Sequence, residues 1–92
     1  MAQLLLFSVG TIRGAIPLEE TLRVIRMVQP EKKHGAHPLE AGTINLHGKT
    51  LEVISVKALF GMAPSDPRLK DMLIITRAGS RDVALWVDAT SG

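Results

Sequence analysis

The chain has 92 residues, of which 46% are hydrophobic, 22% charged and 3% aromatic, and its net charge is +2. This length predicts one domain with no room for two independent cores, and this composition excludes a disordered chain. Basic residues are spread along the chain, cysteine is absent and no apolar run reaches the length of a membrane span, so we expect no nucleic-acid footprint, no disulfide and no membrane insertion.

The first segment predicts a pair of strands. Residues 3–9 are apolar and predict a buried strand, and residues 12–16 predict a weaker returning strand. Gly14 inside the second strand indicates a bulge or a close backbone approach. The apolar start lacks the basic lead-in and the cleavage site of a signal peptide, so a cytoplasmic protein is expected.

The next segment predicts one short amphipathic helix that ends at Pro30. Pro17 suits the first position of a helix, and acidic residues in the first turn suit the helix dipole. Apolar residues then recur at helical spacing, at Leu18, Leu22, Ile25 and Val28, with Arg23 and Arg26 on the other side. Residues 29–41 are polar and rich in proline and glycine, which predicts a loop.

The central segment predicts a β-hairpin. Residues 43–46 and 51–56 are β-branched and alternating, and a tight connection at His47, Gly48 and Lys49 joins them. The Gly48-Lys49-Thr50 sequence superficially suggests a phosphate-binding loop. Five residues rather than four separate it from Gly42, and a strand follows instead of a helix, so that interpretation fails.

The last third predicts one helical turn, a loop and a second hairpin. Residues 56–60 form the turn and residues 61–71 the loop, which holds two prolines. Residues 72–77 and 83–88 then predict paired strands. Alternation places Trp86 on the face opposite Val83, Leu85 and Val87, either in a second layer of core or as an exposed anchor for a partner.

The motifs of the hairpins together resemble those of a CheW-like domain, the coupling module of bacterial and archaeal chemotaxis. That family shows Gly-Val-Ile-Asn-Leu-Arg-Gly, which is similar to Gly42–Gly48 here, followed by a strand and a Leu-x-Gly like Leu59-Phe60-Gly61. The opening strand at residues 5–10 and the Val87-Asp88 pair also match the family, in the right order.

The resemblance implies an all-β, SH3-like barrel domain with one short helix, spanning residues 1–92. Residues 1–28 would supply the strands and helix of a first barrel, and residues 42–88 would form a complete second barrel. The first barrel would lack the family's final strands. Unpaired strand edges invite pairing with another chain, so we expect a homo-oligomer.

The resemblance further implies a non-enzymatic adaptor that links chemoreceptors to a CheA-type histidine kinase. The second barrel would dock on the regulatory domain of the kinase, and the turn Asn45, Leu46, His47 and Gly48, with the strand at residues 51–56, would face the structural heart of the domain and this kinase side. The groove near the cytoplasmic tip of the receptor would be lined by Ile16, Leu18, Glu19 and Leu22.

Three positions depart from the family pattern. His47 replaces an arginine, Ser55 an aspartate and Glu52 a proline, so a diverged, self-assembling relative without coupling activity is one alternative. A small SH3-like barrel that binds nucleic acid is another, motivated by the basic isoelectric point of about 9.4.

Catalytic and metal chemistry find little support in the sequence. His34 and His37 lie in a glycine-containing loop without cysteine nearby, which is typical of exposed histidines rather than of a zinc site. No serine stands in a nucleophile motif such as Gly-x-Ser-x-Gly. We therefore predict no enzyme activity, no metal and no cofactor.

Overall fold

The computed structural model describes residues 3–32, 38–63 and 65–91, and these residues form a mainly β structure with one short α-helix. Eight strands lie within them: β1 (Leu4–Val9), β2 (Ile12–Pro17), β3 (Thr21–Arg26), β4 (Glu40–Leu46), β5 (Lys49–Ser55), β6 (Met72–Ala78), β7 (Arg81–Val87) and β8 (Ala89–Ser91). A 3-10 helix, Leu18–Glu20, precedes β3, and α1, Val56–Leu59, follows β5. The predicted fold class is confirmed.

The strands form two sheets. The first has the order β2-β1-β8 and the second the order β3-β6-β7-β5-β4. All neighbouring strands are antiparallel except β5 and β7, which are parallel. A parallel pair needs a crossover, and here α1, the following loop and β6 supply it.

A β-bridge between the segment that follows β3 and strand β4 closes the five-stranded sheet, whose outer strands are β3 and β4. The segment after β3 reaches β4 through Glu31, whose backbone exchanges hydrogen bonds of 2.8 and 2.9 Å with Thr43. Gly42 makes this approach feasible: its φ is 137°, and a Cβ there would lie 2.4 Å from the Glu31 carbonyl oxygen. Closure of a sheet removes edges that would otherwise pair with other chains.

Two clusters of buried side chains lie on opposite faces of the same central strands. Because successive side chains of a strand alternate, β6 sends Leu73 and Ile75 to one cluster and Ile74 to the other. In β7 the same alternation separates Trp86 from Val87. Trp86 is buried in the first cluster, which confirms that it belongs to the core. The shared strands join the clusters into one domain.

The β1–β2 hairpin contains a close approach at Gly14. Gly14 lies opposite Phe7, and a Cβ on Gly14 would lie 2.4 Å from Cζ of that ring. The aromatic ring therefore covers the space that the glycine leaves open. The expected bulge or close backbone approach is wrong: the register of this hairpin is continuous, and the group close to Gly14 is a side chain.

The predicted helix between Pro17 and Pro30 is wrong. A 3-10 turn covers Leu18–Glu20 only, and Thr21–Arg26 form strand β3, which pairs with β6. Val24 and Ile25 pack against different clusters, so the segment is apolar on both sides like a strand inside a fold. Pairing with β6 outweighs the helical spacing, as tertiary context often does for short segments.

The division of strands between the two sheets also differs from the prediction. Six strands were expected, the first two in one barrel and the last four in the other, whereas β3 joins the five-stranded sheet and β8 joins the first. β8 pairs with β1 through Leu6–Ser91, Phe7–Thr90 and Ser8–Ala89. One edge of β1 that we expected to be open is therefore paired.

A carboxylate links the two sheets where β7 passes into β8. Asp88 Oδ2 accepts a hydrogen bond of 2.7 Å from the backbone N–H of Gly10, in the β1–β2 turn. Its Oδ1 lies 3.8 Å from Lys57 Nζ on α1 and 3.7 Å from Arg68. The Val-Asp pair singled out in the sequence thus joins the first hairpin to α1 and to the loop before β6.

A second carboxylate, Asp71, is buried beneath that loop, with 2% of its surface exposed. It accepts hydrogen bonds from Trp86 Nε1 at 2.9 Å, from Arg68 N at 2.9 Å and from Arg68 Nε at 3.1 Å. A buried carboxylate is tolerated when it is paired in this way. These bonds fix the end of the loop against the core.

Candidate partner-binding surface

The turn between β4 and β5 is a two-residue connection with a defined backbone. His47 has φ 51° and Gly48 has φ 84°, and the flanking Leu46 and Lys49 are paired. Positive φ at both central residues is the signature of a type I′ turn, whose twist matches that of the strands. Asn45 Oδ1 accepts a hydrogen bond of 3.1 Å from Gly48 N. The turn is thus held in one shape.

The four turn residues differ in what they offer to a partner. Asn45, His47 and Gly48 are exposed, whereas Leu46 is partly buried and packs against the first cluster. A Cβ on Gly48 would meet open space. The exposed part of the turn is therefore polar, and Leu46 attaches it to the core.

The second predicted group, around the 3-10 helix, divides in the same way. Leu18 and Leu22 are 42% and 51% exposed, and Glu19 is exposed beside them. Ile16 is partly buried and packs against the second cluster, so part of its side chain stabilises the fold and part remains accessible to a partner. Leu18 and Leu22 together form what we call the apolar patch.

A β-bulge explains why Leu22 is exposed. In the pairing of β3 with β6, Thr21 lies opposite Thr76 and Arg23 opposite Ile75, which leaves Leu22 as the extra residue. Bulges commonly re-aim a side chain beside a functional site. Thr76 Oγ1 donates a hydrogen bond of 2.7 Å to the Glu20 carbonyl and fixes the chain just before the bulge.

The hairpin turn and the apolar patch are joined by one contact. Arg23, next to Leu22, places Nη1 2.7 Å from His47 Nε2. Because an arginine side chain only donates, the His47 nitrogen is the acceptor of this bond. The structure therefore brings together two groups of residues that are about 24 positions apart in the sequence.

Arg23 is a residue that sequence analysis missed. The predicted helix put it on a solvent face, with no relation to the hairpin turn. Its only sequence signal is its position beside Leu22. The contact depends on the pairing of β3 with β6 and on the closure of the sheet, neither of which local patterns reveal.

Each of the three departures from the family pattern has an interaction of its own. Besides the contact between His47 and Arg23, Ser55 caps α1 by accepting a hydrogen bond of 3.2 Å from Ala58 N. Serine and aspartate serve equally well as helix N-caps. Glu52 pairs with Arg81 of β7. All three replacements are therefore integrated into the local structure.

The part of the chain that the structure describes contains no metal-binding cluster and no membrane-spanning helix. His34 and His37 lie outside it. Among the described residues there is no group of three or more His, Cys, Asp or Glu side chains placed to hold a metal ion. Across the same residues, no helix has the length and apolar character needed to cross a bilayer.

A three-stranded and a five-stranded sheet that pack on a common buried cluster, with a polar turn and an apolar patch at one end, define a small β-domain with a candidate interaction surface. The family model of the CheW-like domain matches residues 3–92. The chain therefore belongs to the CheW-like domain family.

Individual relatives agree with this family. A stretch of 50 residues is 40% identical to the probable chemotaxis protein CheW of Rhizobium etli, and a 50-residue stretch is 38% identical to the chemotaxis protein CheW of Rhizobium meliloti. Each stretch covers 54% of this chain and 32% of the relative. The aligned stretch thus spans about a third of the length of these curated relatives.

A solved structure shares the fold. The crystal structure of the scaffolding protein TtCheW from Thermoanaerobacter tengcongensis superposes with a TM-score of 0.90 at 24% sequence identity. The superposition covers 98% of this chain and 62% of that protein. The two proteins therefore have the same arrangement of strands over nearly all of the chain.

Proposed function

We propose that the chain is a non-enzymatic chemotaxis adaptor that couples chemoreceptors to a CheA-type histidine kinase through protein–protein contacts. Its family and the names of its relatives support this role. As proposed, the hairpin turn at residues 45–48 meets the regulatory domain of the kinase. The cytoplasmic tip of the receptor meets the surface formed by Ile16, Leu18, Glu19 and Leu22. Such an adaptor would work in the cytoplasm.

The contact between Arg23 and His47 is the observation that carries the proposal. An adaptor must hold two binding surfaces in a fixed relation, so that one partner senses the other. The contact of 2.7 Å connects the hairpin turn directly to the strand that presents Leu22. We propose this pair of side chains as the contact through which a change at one surface reaches the other.

The exposure of the apolar patch supports the receptor side. Two half-exposed leucines cost hydration free energy unless a partner covers them. The bulge at Leu22 keeps one of them outward even though its neighbours Val24 and Ile25 pack inward. Acidic Glu19 beside the patch would add orientation to an otherwise non-directional contact.

The direct test is calorimetric titration of the chain with the regulatory domain of a CheA-type kinase and with the cytoplasmic tip of a receptor. We expect Leu22→Arg to weaken receptor binding by at least about tenfold, since a buried apolar anchor commonly contributes that much. Leu59→Arg is the matched control, because Leu59 on α1 is also 51% exposed. Equal losses in both variants would contradict the assignment of the patch.

We also propose that the chain associates with itself through the first sheet. In the described residues, the outer edges of β2 and β8 pair with no further strand, and Leu4 and Leu6 of β1 are about half exposed. Open edges and apolar faces favour pairing between copies. Size-exclusion chromatography with light scattering tests this, and a monomer at high concentration would refute it.

Nucleic-acid binding has little support from the aromatic residues. Trp86 is buried and Phe7 packs on Gly14, which leaves Phe60 half exposed for stacking against a base. Proteins that bind single strands usually present several such rings. We therefore propose no nucleic-acid partner, and a steep salt dependence of oligonucleotide binding would contradict this.

A further inference from the structure

One end of the five-stranded sheet carries a group of basic side chains that the proposed function does not yet use. Arg23 of β3, His47 of the hairpin turn, Lys49 of β5 and Arg77 of β6 belong to it, and we call them the basic rim. They come from three separate parts of the chain, since His47 and Lys49 belong to the same hairpin, so sequence clustering does not reveal the group. The fold alone assembles the group.

Strand register places three of these residues on the inner face of the sheet, just beyond the first cluster. Arg77 follows Ile75 by two positions and Lys49 precedes Leu51 by two, and both apolar residues belong to the first cluster. Arg23 lies directly opposite Ile75. Residues two apart share a face, so these cations stand at the mouth of the closed sheet rather than on its outside.

The positive charge of the rim is only partly balanced. Asp82 lies opposite Arg77 in β7, accepts a hydrogen bond of 3.3 Å from Arg77 Nε and lies 3.7 Å from Lys49 Nζ. One carboxylate thus serves two cations. Arg23 contacts the imidazole of His47, which carries no permanent charge, instead of an acid. The rim therefore keeps an excess of positive charge.

The other acidic groups nearby belong to different faces. Glu52 pairs with Arg81. Glu52 follows Leu51 and Arg81 precedes Asp82. Because neighbouring residues of a strand face opposite sides, the Glu52 and Arg81 side chains leave the sheet on the side opposite to Leu51 and Asp82. Glu19 and Glu20 lie on the 3-10 helix, which is tied to Thr76, and Thr76 points away from the face that carries Arg77. The charge of Glu52 is balanced by Arg81, so the excess of positive charge at Arg23, Lys49 and Arg77 remains.

We propose that the basic rim binds an acidic segment of a protein partner, with side-chain carboxylates on Arg23, Lys49 and Arg77. Lys49, Arg77 and Asp82 also line a cleft of about 410 Å³ together with the paired Glu52 and Arg81, so its charged lining holds three cations and two carboxylates. Oppositely charged surfaces steer and orient partners even where they add little affinity. The proposal specifies the chemistry of the kinase-side contact and so rests on the proposed function.

The test uses a fluorescein-labelled decaglutamate peptide and fluorescence anisotropy with the full chain. We expect saturable binding that weakens as salt is added, because salt screens exposed charges. Arg23→Gln and Lys49→Gln should each weaken binding roughly two- to fivefold, the range for exposed ion pairs. Arg13→Gln is the matched control, since it removes the same charge from an exposed position on β2 and should leave binding unchanged.

Circular dichroism first establishes that each variant is folded. Lys49 is the safer position, because its side chain is 74% exposed. An equal loss with Arg13→Gln, or no binding at all, would overturn the inference. So would equally tight binding of a labelled oligothymidylate that competes with the peptide, because the rim would then recognise any polyanion.

Titration with the kinase regulatory domain keeps the two proposals separate. The kinase domain could bind equally well to the chain and to the Arg23→Gln and Lys49→Gln variants, while the peptide does not bind. That result refutes the acidic-segment inference and leaves the adaptor function standing. Peptide binding at the rim without kinase binding supports the rim as a site for acidic segments and refutes the kinase assignment.

Discussion

The two sheets solve the problem of strand edges in different ways. The five-stranded sheet closes on itself through the bridge between Glu31 and Thr43 and covers a buried cluster. The inner face of the three-stranded sheet packs against the second cluster, whereas its outer face leaves Leu4 and Leu6 half exposed. We therefore expect the five-stranded sheet to carry most of the stability and the three-stranded sheet to carry more of the association.

The strongest way to challenge this comparison is to remove a side chain from each sheet. Leu73→Ala empties a fully buried position in the first cluster and should lower the free energy of unfolding by about 2–5 kcal/mol. Leu6→Ala on β1 should lower it by less than about 1 kcal/mol, because that side chain is already half in water. Urea unfolding of both variants at one protein concentration measures the difference, and similar losses would contradict the comparison.

A glycine pair tests whether closure stabilises the five-stranded sheet. Gly42→Ala would force a Cβ against the Glu31 carbonyl at φ 137°, so we expect a loss of about 3 kcal/mol. Gly48→Ala has a positive φ but open space around it and should cost about 1 kcal/mol. Thermal unfolding of the two variants compares them. A Gly42→Ala protein as stable as Gly48→Ala would show that the bridge contributes little.

A smaller effect should reveal how the sheets are joined. Asp88→Ala removes the acceptor of the Gly10 N–H and the partner of Lys57, and should cost about 1 kcal/mol. We expect faster hydrogen exchange in the β1–β2 hairpin with little change in β6. Asp66→Ala, at an exposed loop position, is the control. Faster exchange throughout β6 would mean that the two sheets unfold together.

Strands with a clear alternation of apolar and polar residues were predictable from sequence. Strands that form only because they pair with a strand distant in sequence were not. The hairpins around residues 47–48 and 79–80 have strong β-branched runs and turn residues, and both are confirmed. Strand β3 was missed because Leu18, Leu22 and Ile25 match helical spacing by coincidence: a bulge exposes Leu22. Strand β8 is three residues long and depends on pairing with β1, which no local pattern contains.

The candidate site shows the same limit. The hairpin turn was recognised from its motif, and its geometry agrees with a tight connection. The contact between Arg23 and His47 and the basic rim were not predictable, because they join side chains from strands that meet only through the sheet order. Contact of the eight predicted residues with a kinase or a receptor stays a prediction.

The position of β7 has a consequence for folding kinetics. It lies at the centre of the five-stranded sheet, between β6 and the parallel strand β5. The β4–β5 hairpin can form locally. Its neighbour in the sheet is β7, which lies some thirty residues further along the chain, so β5 stays unpaired on that side until β7 has been placed. Closing that long segment must precede most of the core contacts. We therefore expect slow, β-type folding in which the early hairpin is exposed to mispairing until β7 inserts.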